Sequence, residues 1–170
     1  IDTIELGFAW DSDVKKFVVP FSIESIVEEL SDMAPYIDKG KWIEVNPLET
    51  EVIREFREIG SQRCYIVRHP ETYTFYEDYK KFGLKNLRFY AGFPEHSLEI
   101  IKKLIDLGFG AKDLIRFEQE EIRPVDAVSR ILTRLPRPAN YTEKENLWVE
   151  VSGKDKEKNI KLVKMECIVS

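Results

Sequence analysis

Ile4, Leu6, Phe8 and Trp10 alternate with Glu5, Gly7 and Ala9. That period of two marks a half-buried strand. The same period returns at the far end, where residues 147–151 and 160–169 alternate around Gly153-Lys154-Asp155-Lys156. Two such runs joined by a short polar segment with a glycine predict a hairpin. Between the ends the period lengthens. Ile23, Ile26, Val27 and Leu30 share one helix face, and Ser22, preceded by Pro20-Phe21, suits its N-cap. A second helix opens near Pro94, buries Leu98, Ile101, Leu104 and Ile105, and stops at Gly108 and Gly110. A third covers 124–135, with Val125, Val128, Ile131 and Leu132 inward and Pro136 and Pro138 beyond its end. Residues 72–82 read as helical, closed by Gly83.

Shorter apolar runs fill the gaps. Trp42-Ile43-Glu44-Val45 follows a Lys39-Gly40 turn and ends at Asn46-Pro47. Residues 62–67 and 86–90 read as strands, and Ile115-Arg116-Phe117 with Ile122 suggest a short strand pair. Residues 50–59 are ambiguous: Val52, Ile53, Phe56 and Ile59 suit a helix that Gly60 would end. Gly92 lies between a strand and a helix, where a turn needing a backbone conformation reserved for glycine is expected. The sum is six or seven strands and three or four helices. That predicts one α+β domain with an antiparallel or mixed sheet and helices stacked on one face. No repeat and no low-complexity segment is present.

At 170 residues the chain fits one domain, able to bury about 70% of its unfolded surface. The net charge of −5 has no basic tract behind it, so nucleic acid is not an expected partner. No apolar run reaches membrane-spanning length and no signal pattern opens the chain, so a cytoplasmic protein without a membrane partner is expected. Cys64 and Cys167 lie in apolar, strand-like contexts and read as two buried thiols. With only His69 and His96 beside them, no metal-ligand spacing forms. Charged residues at 34% exceed the usual quarter and point toward a thermophilic source. The chain opens at Ile1-Asp2-Thr3 and closes inside a strand at Cys167-Ile168-Val169-Ser170. Residues 1–170 are therefore read as a single domain, one piece of a larger enzyme.

Catalytic signatures are absent. The eight glycines never form G-x-G-x-x-G, the turn that cradles a dinucleotide pyrophosphate. Gly108-Phe109-Gly110 ends a helix rather than opening one. No P-loop and no nucleophile elbow occurs, and neither histidine sits in a pattern that suggests a triad. This chain alone is not expected to bind NAD or NADP.

Four segments carry a resemblance. Phe8-Ala9-Trp10-Asp11-Ser12 resembles an F-S-W-S-x segment at the end of a first strand. Tyr65-Ile66-Val67-Arg68-His69-Pro70, followed by Phe75-Tyr76-Glu77-Asp78-Tyr79, resembles a strand, proline and aromatic segment that carries substrate contacts. Residues 87–108, with Leu87-Arg88-Phe89-Tyr90-Ala91-Gly92-Phe93-Pro94-Glu95, resemble an L-R-aromatic-x-x-G-F-P-E strand and helix. The closing hairpin resembles a V-x-V-x-G hairpin with a charged turn. In order and spacing these resemble the C-terminal domain of the saccharopine dehydrogenase (saccharopine reductase) and lysine 6-dehydrogenase-like family. The resemblance implies a fold like the C-terminal domain of glyceraldehyde-3-phosphate dehydrogenase, whose helix-free sheet face helps form the substrate cleft and often a dimer contact. It implies a separate Rossmann domain holding NAD or NADP, and a homodimer. The parent would be an oxidoreductase acting at a C–N bond of a small-molecule amino acid or amine substrate that this domain positions. The rival reading is a non-catalytic interaction domain that kept the fold and lost the chemistry.

Two departures bear on the substrate. The family places an arginine just after F-S-W-S-x, where its fork can hold a carboxylate; here that position is Asp13. It places another after the Y-P pair; here Glu71-Thr72-Tyr73 follow Pro70. Acids in place of cations favour an amine over a substrate with several carboxylates. The substrate-side candidates are Trp10, Ser12, Asp13, Glu71, Thr72, Tyr73 and Arg88. Trp10 reads as core packing or cleft lining, Ser12 as a turn residue or a substrate contact, Arg88 as a structural ion pair or a substrate contact. Glu71, Thr72 and Tyr73 are placed on a loop after a strand, where binding groups collect. His96, in a first helical turn, is a capping group or a proton carrier.

Overall fold

The computed structural model describes residues 1–14, 16–19, 22–136 and 138–170; Pro20 and Phe21 lie outside the described residues. Strand β1 (Thr3–Ser12) is the centre of an eight-stranded sheet. It pairs in parallel with β6 (Asn86–Phe93) and antiparallel with β9 (Glu143–Lys154), which forms the closing hairpin with β10 (Ile160–Val169). On its other side β6 forks. It meets β2 (Ala34–Asp38), itself paired with β3 (Lys41–Val45), and it meets β5 (Gly60–Ile66), itself paired with β4 (Val52–Phe56). A separate pair, β7 (Ile115–Phe117) and β8 (Glu120–Ile122), stands apart. Every pairing but β1–β6 is antiparallel. With helices α1 (Ile23–Ser31), α2 (Pro70–Tyr79), α3 (Glu95–Asp106) and α4 (Pro124–Leu132), this is the expected α+β architecture.

The helices cover one face. Ile4, Leu6, Phe8 and Trp10 of β1 and Leu87, Phe89 and Phe93 of β6 form its floor. On it rest Ile23, Ile26, Val27 and Leu30 of α1, all fully buried, with Leu98 and Ile101 of α3 and Val125 of α4. Each such side chain contributes about 1.5–3 kcal/mol of burial. Ser22 caps α1 by accepting from the Ser25 N–H at 3.2 Å. The opposite face carries no helix among the described residues. A smaller cluster, Ala9, Cys64, Phe56, Tyr90 and Trp148, lies there. Because β1 is covered on both faces, its small residues matter as much as its large ones. A Cβ at Gly7 would stand 1.9 Å from the Tyr90 carbonyl oxygen, so only glycine lets β1 and β6 approach.

Several expectations need correcting. Residues 50–59 are not helical: β4 alternates Val52, Arg54 and Phe56 toward the open face, and Ile53 is 70% exposed. The helical spacing was coincidental, and pairing with β5 decides the conformation. Gly60, with Glu58 at positive φ, forms the hairpin turn and opens β5. The pattern around Pro35 predicts no strand, yet Ala34–Asp38 forms β2 by pairing with β3. Gly92 makes no turn; β6 runs through it to Phe93, and its φ is not positive. What excludes a side chain there is space, since a Cβ would meet the Cys64 sulfur at 2.9 Å. Helix α4 ends at Leu132 and leaves Ile131 64% exposed. Glu71, Thr72 and Tyr73 form the first turn of α2 rather than a loop. Cys64 is buried, but Cys167 is exposed.

Candidate functional site

On the helix-bearing side, and not on the helix-free face where the resemblance implies a cleft, α1 and the start of α2 stop short of the β9–β10 hairpin. The space between is a groove of about 750 Å³, within the range of small-molecule sites. Leu6, Phe8 and Phe89 line its floor, and Leu147, Val149 and Met165 its hairpin wall. Leu147 and Met165 are exposed there because no helix reaches them.

Three elements bring acids to this apolar trough. His69 precedes α2 in extended conformation, followed by Pro70 at the first helical position. That geometry lays its ring flat on Phe89, with centroids 3.8 Å apart and planes 6° apart, and turns Nδ1 onto the Glu71 carboxylate. Glu29 projects from α1 beside its apolar stripe. Its Oε2 is buried with no hydrogen-bond partner among the described residues. Burial, aided by the charge of Glu71, pushes its carboxyl from the ordinary 4.5 up to about 7. Glu145 enters from β9; burial first, then neighbouring Glu143, raises it as well. No lysine or arginine among the described residues lines the groove. Such a site can seat a cationic nitrogen on carboxylates, pack an aliphatic stem on apolar walls, and exchange a proton near neutral pH at Glu29.

The sequence-predicted candidates fall in different places. Glu71 lines the groove. Thr72, next to it, is fully buried with Oγ1 unpartnered among the described residues. Tyr73 faces outward and stacks on Trp42 at 5.2 Å. Trp10 is core, and its indole N–H donates to Glu143 at 3.2 Å. Ser12 donates to the Val14 carbonyl. Both carboxylate oxygens of Asp13 accept from Thr142, from its N–H at 3.1 Å and its hydroxyl at 3.0 Å. Ser12 and Asp13 line a separate cavity of about 220 Å³ with Lys144. Arg88 lies on the open face, paired with Asp38 at 3.2 Å and Glu5 at 3.7 Å. His96 borders another cavity, its Nδ1 3.0 Å from the Ser97 hydroxyl.

Sequence reading missed Glu29, His69 and Glu145 as groove residues. One signal was available for Glu29: it follows Ile26 by three positions and so flanks the buried face. Among the described residues no group of three or more His, Cys, Asp or Glu side chains could hold a metal ion. No helix among them is long and apolar enough to cross a membrane. Among the described residues, the strand-to-helix junction that holds a glycine, Gly92-Phe93-Pro94, does not fit a dinucleotide: that glycine is packed under Cys64 and Gln62 instead of open to a pyrophosphate.

The family model described as the saccharopine dehydrogenase C-terminal domain matches residues 5–168. The chain belongs to that family. It is 24% identical over 127 residues to carboxyaminopropylagmatine dehydrogenase from Synechocystis sp., a match that covers 75% of this chain and 31% of that protein. It also resembles the saccharopine dehydrogenase (L-Glu forming) of Saccharomyces cerevisiae in its solved structure. The TM-score is 0.70 at 12% identity, over 99% of this chain and 53% of that one. That likeness establishes the fold. The chain therefore spans about a third to a half of the length of these two proteins.

Proposed function

We propose that this chain is the substrate-side domain of an NAD(P)-dependent oxidoreductase acting at a C–N bond of an amino acid or amine. In that reading the groove orients the substrate's nitrogen, and a separate Rossmann domain of the full-length protein holds the nicotinamide. The observation that carries it is the charge of the groove: Glu29, Glu71 and Glu145 over apolar walls, with no lysine or arginine among the described lining residues. A substrate with several carboxylates would meet repulsion there, whereas an ammonium or guanidinium on an aliphatic stem would not. The relative named for carboxyaminopropylagmatine, an agmatine derivative, accords with such a cation. Holding reacting groups in register can supply roughly 7–11 kcal/mol of a barrier, so a domain that only orients can still govern rate. The open sheet face is the proposed contact for a second copy or for the Rossmann domain, in a cytoplasmic homodimer.

A substrate panel on the full-length protein tests this. Turnover of lysine, a diamine or an agmatine derivative is expected, with KM raised at least tenfold by Glu71→Gln and kcat changed less. Efficient turnover of saccharopine, with lysine, diamines and agmatine derivatives inert, would overturn it. A parent chain without a G-x-G-x-x-G turn would favour the non-catalytic interaction domain instead.

A further inference from the structure

The groove holds two acids of unlike standing. Glu71 is engaged by His69, whose ring is fixed in turn by Phe89. Glu29 has no such engagement at Oε2 among the described residues, although that oxygen is buried. It also feels Glu71 as a like charge. Two carboxyls in one low-dielectric trough do not both stay ionised without a cation. The other groups around Glu29 do not supply one. Glu145 of β9 borders the same groove. On the other side of α1, Glu29 borders a cavity of about 210 Å³ with Glu28, Asp32 and Arg68. Arg68 faces Asp32 at 3.7 Å, and its charge is further held by Tyr73.

We propose that Glu29 is a specificity-determining acid of this groove, protonated while the groove is empty and releasing its proton as a substrate's cationic nitrogen seats between it and Glu71. The exchange balances: a neutral carboxyl and an ammonium or guanidinium enter, and a carboxylate–cation pair and one proton to solvent leave. The inference rests on the reading of the groove as an amine site. It adds that the site selects for charge by requiring ionisation of Glu29. A neutral isostere of the substrate releases no proton and forms no carboxylate–cation pair, so it lacks the gain in affinity that the charged substrate shows as pH rises from 6 to 8.

Titration calorimetry of the full-length protein with agmatine, in buffers of low and high ionisation enthalpy, tests it. Expected release is about 0.9 proton per agmatine at pH 6, about 0.5 at pH 7 and about 0.1 at pH 8, with Kd about tenfold weaker at pH 6 than at pH 8. Glu29→Gln should abolish the release and flatten Kd across that range. Glu71→Gln should keep the release but shift its midpoint to lower pH, because a charge opposing Glu29 ionisation is gone. Agmatine binding without proton release, or undiminished release in Glu29→Gln, would overturn the role of Glu29 and leave the amine reading standing. Failure of both agmatine and lysine to bind would overturn both.

Discussion

Replacing Glu29 with glutamine keeps the shape of the side chain and removes its charge, so it isolates what the groove asks of the fold. In the folded chain this carboxyl is held at about 7 instead of the ordinary 4.5, chiefly by burial. Between those values the folded state keeps a proton that the unfolded state has lost. Stability therefore falls as pH rises through that window and levels off above it. At 1.36 kcal/mol per pH unit the full cost is about 3 kcal/mol at pH 8. Relaxation and water access at a half-buried side chain reduce it, so Glu29→Gln should be about 2 kcal/mol more stable than the native chain at pH 8. Near pH 4.5 the difference should shrink to a few tenths of that. Urea unfolding at pH 5 and pH 8, followed by tryptophan emission, measures both. A variant less stable by the same amount at both pH values would refute the reasoning, because it would mean that the native carboxylate is favourably engaged.

Other perturbations probe the frame around the groove. Gly7→Ala places a methyl within 1.9 Å of the Tyr90 carbonyl oxygen; loss of about 4 kcal/mol or more is expected, read as little soluble protein and an early thermal transition. Arg54→Ala leaves Glu5 and Glu150, which are direct cross-strand partners, without the guanidinium that pairs with both. A loss of about 2–3 kcal/mol is expected, with part of it recovered by adding Glu5→Gln, as double-mutant unfolding would show. Cys64 is buried, with its thiol pushed up to about 12, whereas Cys167 is exposed at the groove. A maleimide should label Cys167 and spare Cys64 in peptide mapping of the native protein, and a bound amine should slow the labelling.

What the sequence discloses depends on how local the cause is. The strand at Ile4–Trp10, the helix behind Ser22 and the closing hairpin are each specified by their own period and punctuation, and all three form. β4 is ambiguous in the sequence because Val52 and Phe56 suit either period, and only the partner strand β5 decides between them. Glu71 stands out in the sequence because it follows Pro70 at a strand end, where the family carries an arginine, and it lines the groove. Its companions come from α1, the residue before α2, and β9. They converge only because β1 pairs with β6 in parallel and with β9 antiparallel, and nothing within any of the segments encodes that meeting. Arg88 illustrates the reverse. Its segment reads as a motif, yet register places it on the open face between Asp38 and Glu5.

The two faces of the sheet treat stacked acids in opposite ways, and the contrast bears on function. On the open face Glu5 and Glu150 lie directly opposite each other across β1 and β9, an arrangement that costs stability unless it is neutralised. The chain neutralises it with its own cations: Arg54 pairs with both and packs between Tyr90 and Trp148, at 4.6 and 4.4 Å from their ring centres, while Arg88 and Lys164 close the set. Structural acids are thus supplied with in-chain partners where the fold needs them. In the groove, Glu29, Glu71 and Glu145 gather with no lysine or arginine among the described lining residues, and burial raises the carboxyls of Glu29 and Glu145. Folding alone gives no reason to assemble acids at such a cost on an apolar floor. A cation arriving from outside the chain does, since it would gain from the same low-dielectric walls that make the empty groove unfavourable. The amine reading rests on that asymmetry, and Glu29 is the side chain at which it can be measured.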